Sequence, residues 1–183
     1  MQLMAMNTLK RGLSLPRKNA GITLIEVLVT LIIMAIGLLG LAALQMNSLR
    51  QNVAAYERSV ASMLAYEIID RMHANFGNGA LYATGFDDAP PTTVDCQNAG
   101  ANCTAAQMAA FDMATWKCNL GGWDDDASCT DLGLGGVLPE GDGEITVNGT
   151  RVMVSIRWVE NRNATAEEGR LTTLSISTEL GSN

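Results

Sequence analysis

The chain has 183 residues, with 12 Lys and Arg against 19 Asp and Glu, a formal charge of −7. A free duplex-DNA binder normally carries a basic face, so this balance argues against nucleic acid as a partner. A single histidine, His73, leaves no His-based metal cluster and no Ser-His-Asp triad. With no Gly-x-Ser-x-Gly elbow and no phosphate-binding loop either, an enzyme reading has almost nothing to rest on, and no cofactor or metal is expected.

Residues 1–20 carry Lys10, Arg11, Arg17 and Lys18 and no acid. Then, from Ile22 to Leu44, come 23 residues in which Glu26 is the only charge. At about 1.5 Å per residue a helix of that length reaches roughly 35 Å, enough for a hydrocarbon core of about 30 Å. The basic leader sets a positive-inside orientation, with the leader in the cytoplasm and everything after Leu44 outside. The run exceeds the usual secretory apolar segment of about 7–15 residues. Ala42-Ala43 offers a signal peptidase site, but that reading leaves Gly21 and Glu26 unexplained. A carboxylate in hydrocarbon costs a few kcal/mol, so Glu26 must snorkel or find a cation.

Gly21-Ile22-Thr23-Leu24-Ile25-Glu26-Val27-Leu28 resembles the class III signal of type IV pilins and type II secretion pseudopilins. The resemblance implies that a prepilin peptidase cuts after Gly21 and methylates the new amine of Ile22, leaving Glu26 as the fifth mature residue. The family usually has Phe where this chain has Ile22; the Gly and Glu positions match. Without the four leader cations the mature chain carries 8 − 19 = −11. A new amine and the positive end of a helix starting at Ile22 both favour a carboxylate at Glu26. Its own amine lies four residues back; the amine of a neighbouring subunit is the partner that the resemblance implies, and that contact would set the axial register of a filament. Sequence does not choose between them. Gly37 and Gly40, each lowering helix stability by about 1 kcal/mol relative to Ala in water, permit close helix packing or local unwinding on assembly, or simply reflect the frequency of glycine in membrane helices.

Beyond Leu44, Met46, Leu49, Val53, Tyr56, Val60 and Met63 recur at spacings of three and four, and Leu64, Ile68 and Met72 extend the stripe. With no proline in 22–75, this predicts one helix of about 80 Å. Its first half faces lipid or a filament core; its second half packs on a globular head. Glu67 and Arg71 form a favourably ordered i,i+4 pair. Gly77 and Gly79 are the expected stop signals. Asp70-Arg71-Met72-x-Ala74-Asn75 resembles the signature of the type IV pilus modification protein PilV, a family of minor pilins, and His73 reads as an exposed helix-end residue.

From Phe76 to Thr104 the composition turns to Gly, Ala, Pro, Asn and Asp, with Pro90-Pro91 in the middle, and predicts a surface loop. Thr104-Ala105-Ala106-Gln107 fits a capping box opening a second helix, with Met108, Phe111, Met113 and Trp116 as its buried side and its end near Gly121-Gly122. The stretch Cys103-x-x-x-Gln107 through Trp116 again resembles PilV, as does Leu138-Pro139-x-Gly141-x-Gly143, although Glu140 stands where that family often has glycine. Cys96, Cys103, Cys118 and Cys129 all fall outside the membrane, where disulfides are favoured. Four cysteines permit three connectivities and spacing does not decide among them. Cys96–Cys103 with Cys118–Cys129 is favoured because each closes a short loop in a glycine-rich region; zinc lacks a Cys-x-x-Cys knuckle and the compartment for it. Asp124, Asp125, Asp126 and Asp131 do not align with a calcium loop and read as a solvated acidic loop. The triplets at Asn102, Asn148 and Asn163 match a glycosylation sequon, mostly a chance pattern in such a protein.

In the C-terminal third Ile145 and Val147 alternate, Asn148-Gly149 is a hairpin signal, and Val152, Val154, Ile156 and Trp158 share one face of the next strand. After a polar loop at 160–169, Leu174, Ile176 and Leu180 give a third strand. A meander of three to four antiparallel strands needs a cover, which the amphipathic half of the long helix supplies. The fold class is therefore α+β, and it resembles the pilin fold. The expected division is a leader over 1–21, a membrane or filament-core helix over 22–44, an amphipathic half-helix over 45–75 and a head over 76–183. The 139 residues from Gln45 to Asn183 suffice for one modest domain.

The resemblance implies a minor pilin, a structural subunit of type IV pilus assembly with roles in adhesion or twitching motility. Its partners would be prepilin peptidase, major and other minor pilins, the inner-membrane pilus assembly machinery and, before assembly, the membrane itself. It would sit in the inner membrane with its head in the periplasm and pass from there to the surface pilus. A type II secretion minor pseudopilin is the alternative, against which the patches at 70–75 and 103–116 weigh. A membrane-anchored or secreted binding module is the alternative of a different kind, decided by whether the apolar stretch survives maturation.

Overall fold

The computed structural model describes residues 21–98, 100–160 and 170–181; the leader cations, the sequon at Asn163 and nearly all of the polar loop expected at 160–169 lie outside the described residues. The chain divides into two units, Met1–Asn47 and Ser48–Asn183. One helix, α1, runs over Leu24–Ala74 and begins in the first unit. Gly37 and Gly40 do not interrupt it, since backbone hydrogen bonding needs no side chain there. Its apolar side chains in the first unit, from Leu24 to Met46, are exposed. Among the described residues it is the helix long and apolar enough to cross a membrane.

In the second unit α1 buries Val60, Ala61, Leu64, Ala65, Ile68, Ile69 and Met72. At about 100° per residue these cover half of the helix circumference, the broad stripe of a helix on a sheet. The longer stripe read from the sequence is corrected here. Leu49, Val53, Tyr56 and Met63 are exposed, as is Met46 before them. Tyr56 and Met63 fall off the buried arc, while Val53 lies on it but ahead of Val60, where the core begins.

After Ala74 the chain turns at Gly77, whose φ of 79° suits glycine. A 3₁₀ turn over Gly79–Tyr82 then buries Tyr82 completely, an element that the loop expectation did not contain. Thr84 makes a two-way backbone bridge with Ile145. The helix α2 spans Ala105–Leu120, opened by Thr104 with both hydrogen bonds of the capping box formed and closed by Gly121 at φ 114°. Of its expected buried side, Phe111 and Trp116 are buried but Met108 and Met113 are only partly so. The enclosed face is rotated toward Ala109, Asp112, Ala114, Lys117, Cys118 and Leu120, because loops as well as the core cover this helix.

The acidic stretch is not simply a solvated loop. Asp126 caps a short helix, α3, over Ala127–Leu132 by accepting the Ser128 N–H at 2.8 Å. Asp124 accepts the Gly136 N–H at 2.8 Å. Glu140 takes up the left-handed conformation at φ 48°, which favours glycine and costs some backbone strain.

Three strands follow: β1 over Asp142–Asn148, β2 over Arg151–Val159 and β3 over Leu171–Glu179. They pair antiparallel in the order β1-β2-β3, with Ile145, Val154 and Ile176 in line. The first hairpin turns on Gly149, at φ 63°, and Thr150, one residue later than an Asn-Gly centre. Ile145, Val152, Val154, Ile156 and Trp158 form the buried row against which α1 and α2 pack, joined at the margin by Leu174, Ile176 and Leu180. Leu180 lies just past the end of β3.

Candidate processing and assembly site

Gly21, Ile22 and Thr23 are non-helical and exposed, which leaves the peptide after Gly21 open to a protease. Thr23 is the residue that starts the helix. Its Oγ1 accepts the Glu26 N–H at 3.4 Å, and its carbonyl accepts the N–H groups of Glu26 at 3.1 Å and Val27 at 3.3 Å. Threonine is favoured at this position because its hydroxyl satisfies a helix N–H that has no intrahelical partner. The helix therefore begins at Leu24, two residues later than a helix starting on Ile22 itself. Glu26 falls in the first turn, where the helix dipole favours an anion. Its carboxylate is exposed and enters no ion pair among the described residues. Thr23 was not singled out from the sequence, although Thr-x-x-Glu ahead of an apolar run is a capping signal.

The residues behind the PilV resemblance tie the end of α1 to α2. Arg71 donates to Glu67 at 2.7 Å and to Asp112 at 3.0 Å. The other oxygen of Asp112 accepts the Tyr82 hydroxyl at 2.7 Å, and burial together with that bond pushes the Tyr82 phenol well above its ordinary pKa. Asn75 donates to the Tyr82 oxygen at 3.2 Å and to the Ala105 carbonyl at 2.8 Å. Trp116 Nε1 donates to the Leu64 carbonyl at 3.0 Å. These bonds fix one helix against the other and leave Asp112 and Tyr82 with their buried polar atoms satisfied.

A second polar cluster holds the head together below α2. Lys117 is fully buried, and its Nζ donates to the carbonyls of Gly85 at 2.9 Å and Asp88 at 2.6 Å and to Asp142 Oδ1 at 3.3 Å. Asp142 also accepts N–H groups from Asp87 and Gly143, each at 2.7 Å, and from the Trp123 indole at 3.3 Å. Burial lowers the Lys117 pKa, with Asp142 pulling the other way. Burial acts to raise the Asp142 pKa, but the Asp87 N–H, the Lys117 charge and the Gly143 N–H outweigh it and hold the carboxyl below its usual range. No sequence pattern marks Lys117 and Asp142 as partners.

Cys96 and Cys103 form one disulfide, with Cα atoms 6.0 Å apart, and Cys118 and Cys129 the other, at 5.2 Å. The second pair is fully buried, whereas the first lies partly exposed in the loop before α2. Neither group of residues, the staples or the disulfides, adjoins Gly21, Ile22 or Glu26 in sequence.

The model of the prokaryotic N-terminal methylation motif matches residues 16–42, and the model of the type IV pilin Tt1218 family matches residues 43–114. No match to the chain was found among curated proteins or among solved structures. The methylation motif implies processing by prepilin peptidase and assembly with other pilins, a family of structural subunits, and the apolar N-terminal helix fits membrane anchoring before that assembly. The two matched segments adjoin, running from residue 16 into α2, and the part of α1 from Val60 onward packs on a small antiparallel sheet. Across residues 16–114 the chain is type IV pilin-like.

Proposed function

We propose that this protein is a minor pilin, a low-abundance subunit that enters or primes a type IV pilus and acts by helix packing and head-to-head contacts. The observation that carries the reading is the open, non-helical Gly21-Ile22-Thr23 stretch, followed by a capped apolar helix with Glu26 as its one charge up to Leu44. Before assembly the apolar segment over 22–44 spans the inner membrane once, and the head lies in the periplasm. Cleavage after Gly21 and methylation of Ile22 release the subunit for assembly, where Glu26 pairs with the amine of a neighbouring subunit. That pairing is favoured because an exposed carboxylate entering an apolar filament core must find a cation. The staples around Arg71, Asn75 and Asp112 support a place near PilV, with roles in pilus modification, adhesion or twitching motility. Partners are the prepilin peptidase, the major and other minor pilins and the inner-membrane assembly machinery.

Mass spectrometry of sheared surface filaments beside the membrane fraction tests this. N-methylated Ile22 at the start of a chain recovered from filaments is the expected result. The same terminus found in membranes alone would favour a type II secretion minor pseudopilin. An uncut chain, or one cut near Ala43, would overturn the reading.

A further inference from the structure

We propose that the outer edge of β3 is a strand-addition site for an extended segment of another protein. The two edges of the sheet differ. On the β1 side, Thr84 exchanges both backbone hydrogen bonds with Ile145, so the chain guards that edge itself. On the β3 side, the Leu180 N–H bonds the Thr150 carbonyl at 2.8 Å and the Arg170 carbonyl accepts the Glu160 N–H at 3.0 Å. Both residues have even numbers, and in an antiparallel ladder bonding direction alternates along a strand. The N–H and C=O groups of Thr173, Ser175 and Ser177, and of Leu171 and Glu179 at the ends, therefore point away from β2. Among the described residues none of these groups bonds outward.

Edges left bare are usually guarded by lysine, proline, a bulge or a short strand. This strand is nine residues long, holds no lysine, arginine or proline, and has its only charge at Glu179. The side chains say what would fit. Leu174 and Ile176 continue the buried row but are only partly covered, so a neighbour bringing an apolar side chain at every second position would complete it. On the opposite face Thr173, Ser175 and Ser177 ask only for small or polar neighbours. The occupant is an uncharged, extended segment of about five to nine residues with alternating apolar side chains. The inference goes beyond the pilin reading and does not depend on it.

The test uses the full chain in lipid nanodiscs and, as probe, a labelled synthetic peptide with blocked ends and the sequence of residues 151–159 carrying Arg151→Ser and Arg157→Ser, which is uncharged and keeps the alternation that matches β3 on its other side. The peptide should bind, and should slow amide exchange at Thr173, Ser175 and Ser177. Ser175→Pro removes an outward N–H without breaking the ladder to β2, and should weaken binding at least tenfold; Ser177→Lys, a guard of another kind, should do likewise. Intact disulfides and unchanged amide protection in β1 and β2 would report that both variants fold. Three results would each overturn the proposal: no binding, binding indifferent to both substitutions, or protection of these amides without peptide, which would assign the edge to the chain itself or to a second copy.

Discussion

Glu26 and Asp142 are both carboxylates, and the structure treats them oppositely. Glu26 stands exposed in the first turn of α1 with no partner among the described residues, whereas Asp142 is buried and accepts bonds from several sides. Glu26→Ala should leave cleavage after Gly21 intact and reduce incorporation into filaments, measured by comparing the processed chain in membranes with that in sheared pili; normal incorporation would remove the charge-pairing idea. Asp142→Asn should cost about 3–5 kcal/mol in urea unfolding followed by tryptophan fluorescence, because it leaves Lys117 buried without its counter-ion. The pH dependence has a definite sign. A carboxyl held low in the folded state stabilises above its unfolded value of about 3.9, and that stability is lost as pH falls through the folded value. Acid unfolding should therefore be steeper in the parent than in Asp142→Asn. Gly143 sets a steric limit beside it, since an added Cβ would run into the Trp116 ring and lie 2.8 Å from Leu120 Cδ1. Gly143→Ala should destabilise by about 1–3 kcal/mol in the same assay. Glu26 could be singled out in the sequence because a charge in an apolar run is conspicuous. Lys117 and Asp142 could not, since two charged residues 25 apart declare no contact until α2 and β1 are folded together.

Elements were legible in proportion to their length and to how locally they are fixed. The helix α1 follows from an unbroken run without proline, α2 from its capping box and its closing glycine, and β2 from the shared parity of Val152, Val154, Ile156 and Trp158. The 3₁₀ turn at Gly79–Tyr82 and the six-residue α3 were not, because neither has room for a hydrophobic period; Tyr82 is held by Asp112 and α3 starts on the Asp126 cap. The stripe along α1 was read too far toward the N-terminus, as periodicity marks an apolar face but not what lies against it. At this scale Thr104 gives a clean test. Thr104→Ala removes the acceptor for the Gln107 N–H and should cost about 1 kcal/mol, read as a lower urea midpoint at unchanged slope.

For the head as a whole, the two disulfides divide the work unequally. Replacing Cys118 and Cys129 together by Ser should cost about 2–5 kcal/mol, since the pair is fully buried as well as cross-linking. The same change at Cys96 and Cys103 should cost less, because that pair is partly exposed and no side chain of the main core depends on it. Unfolding of both variants in urea would order them. The core to which they attach begins at Val60, and nothing earlier in α1 contributes a side chain to it. A library of random substitutions would consequently split along one helix. Changes after Val60 would surface in any screen for soluble, protease-resistant head, while those before it would pass such a screen unnoticed and be counted only where finished fibres are scored. The two halves of α1 thus answer to separate selections, and each tolerates mutation at its own rate.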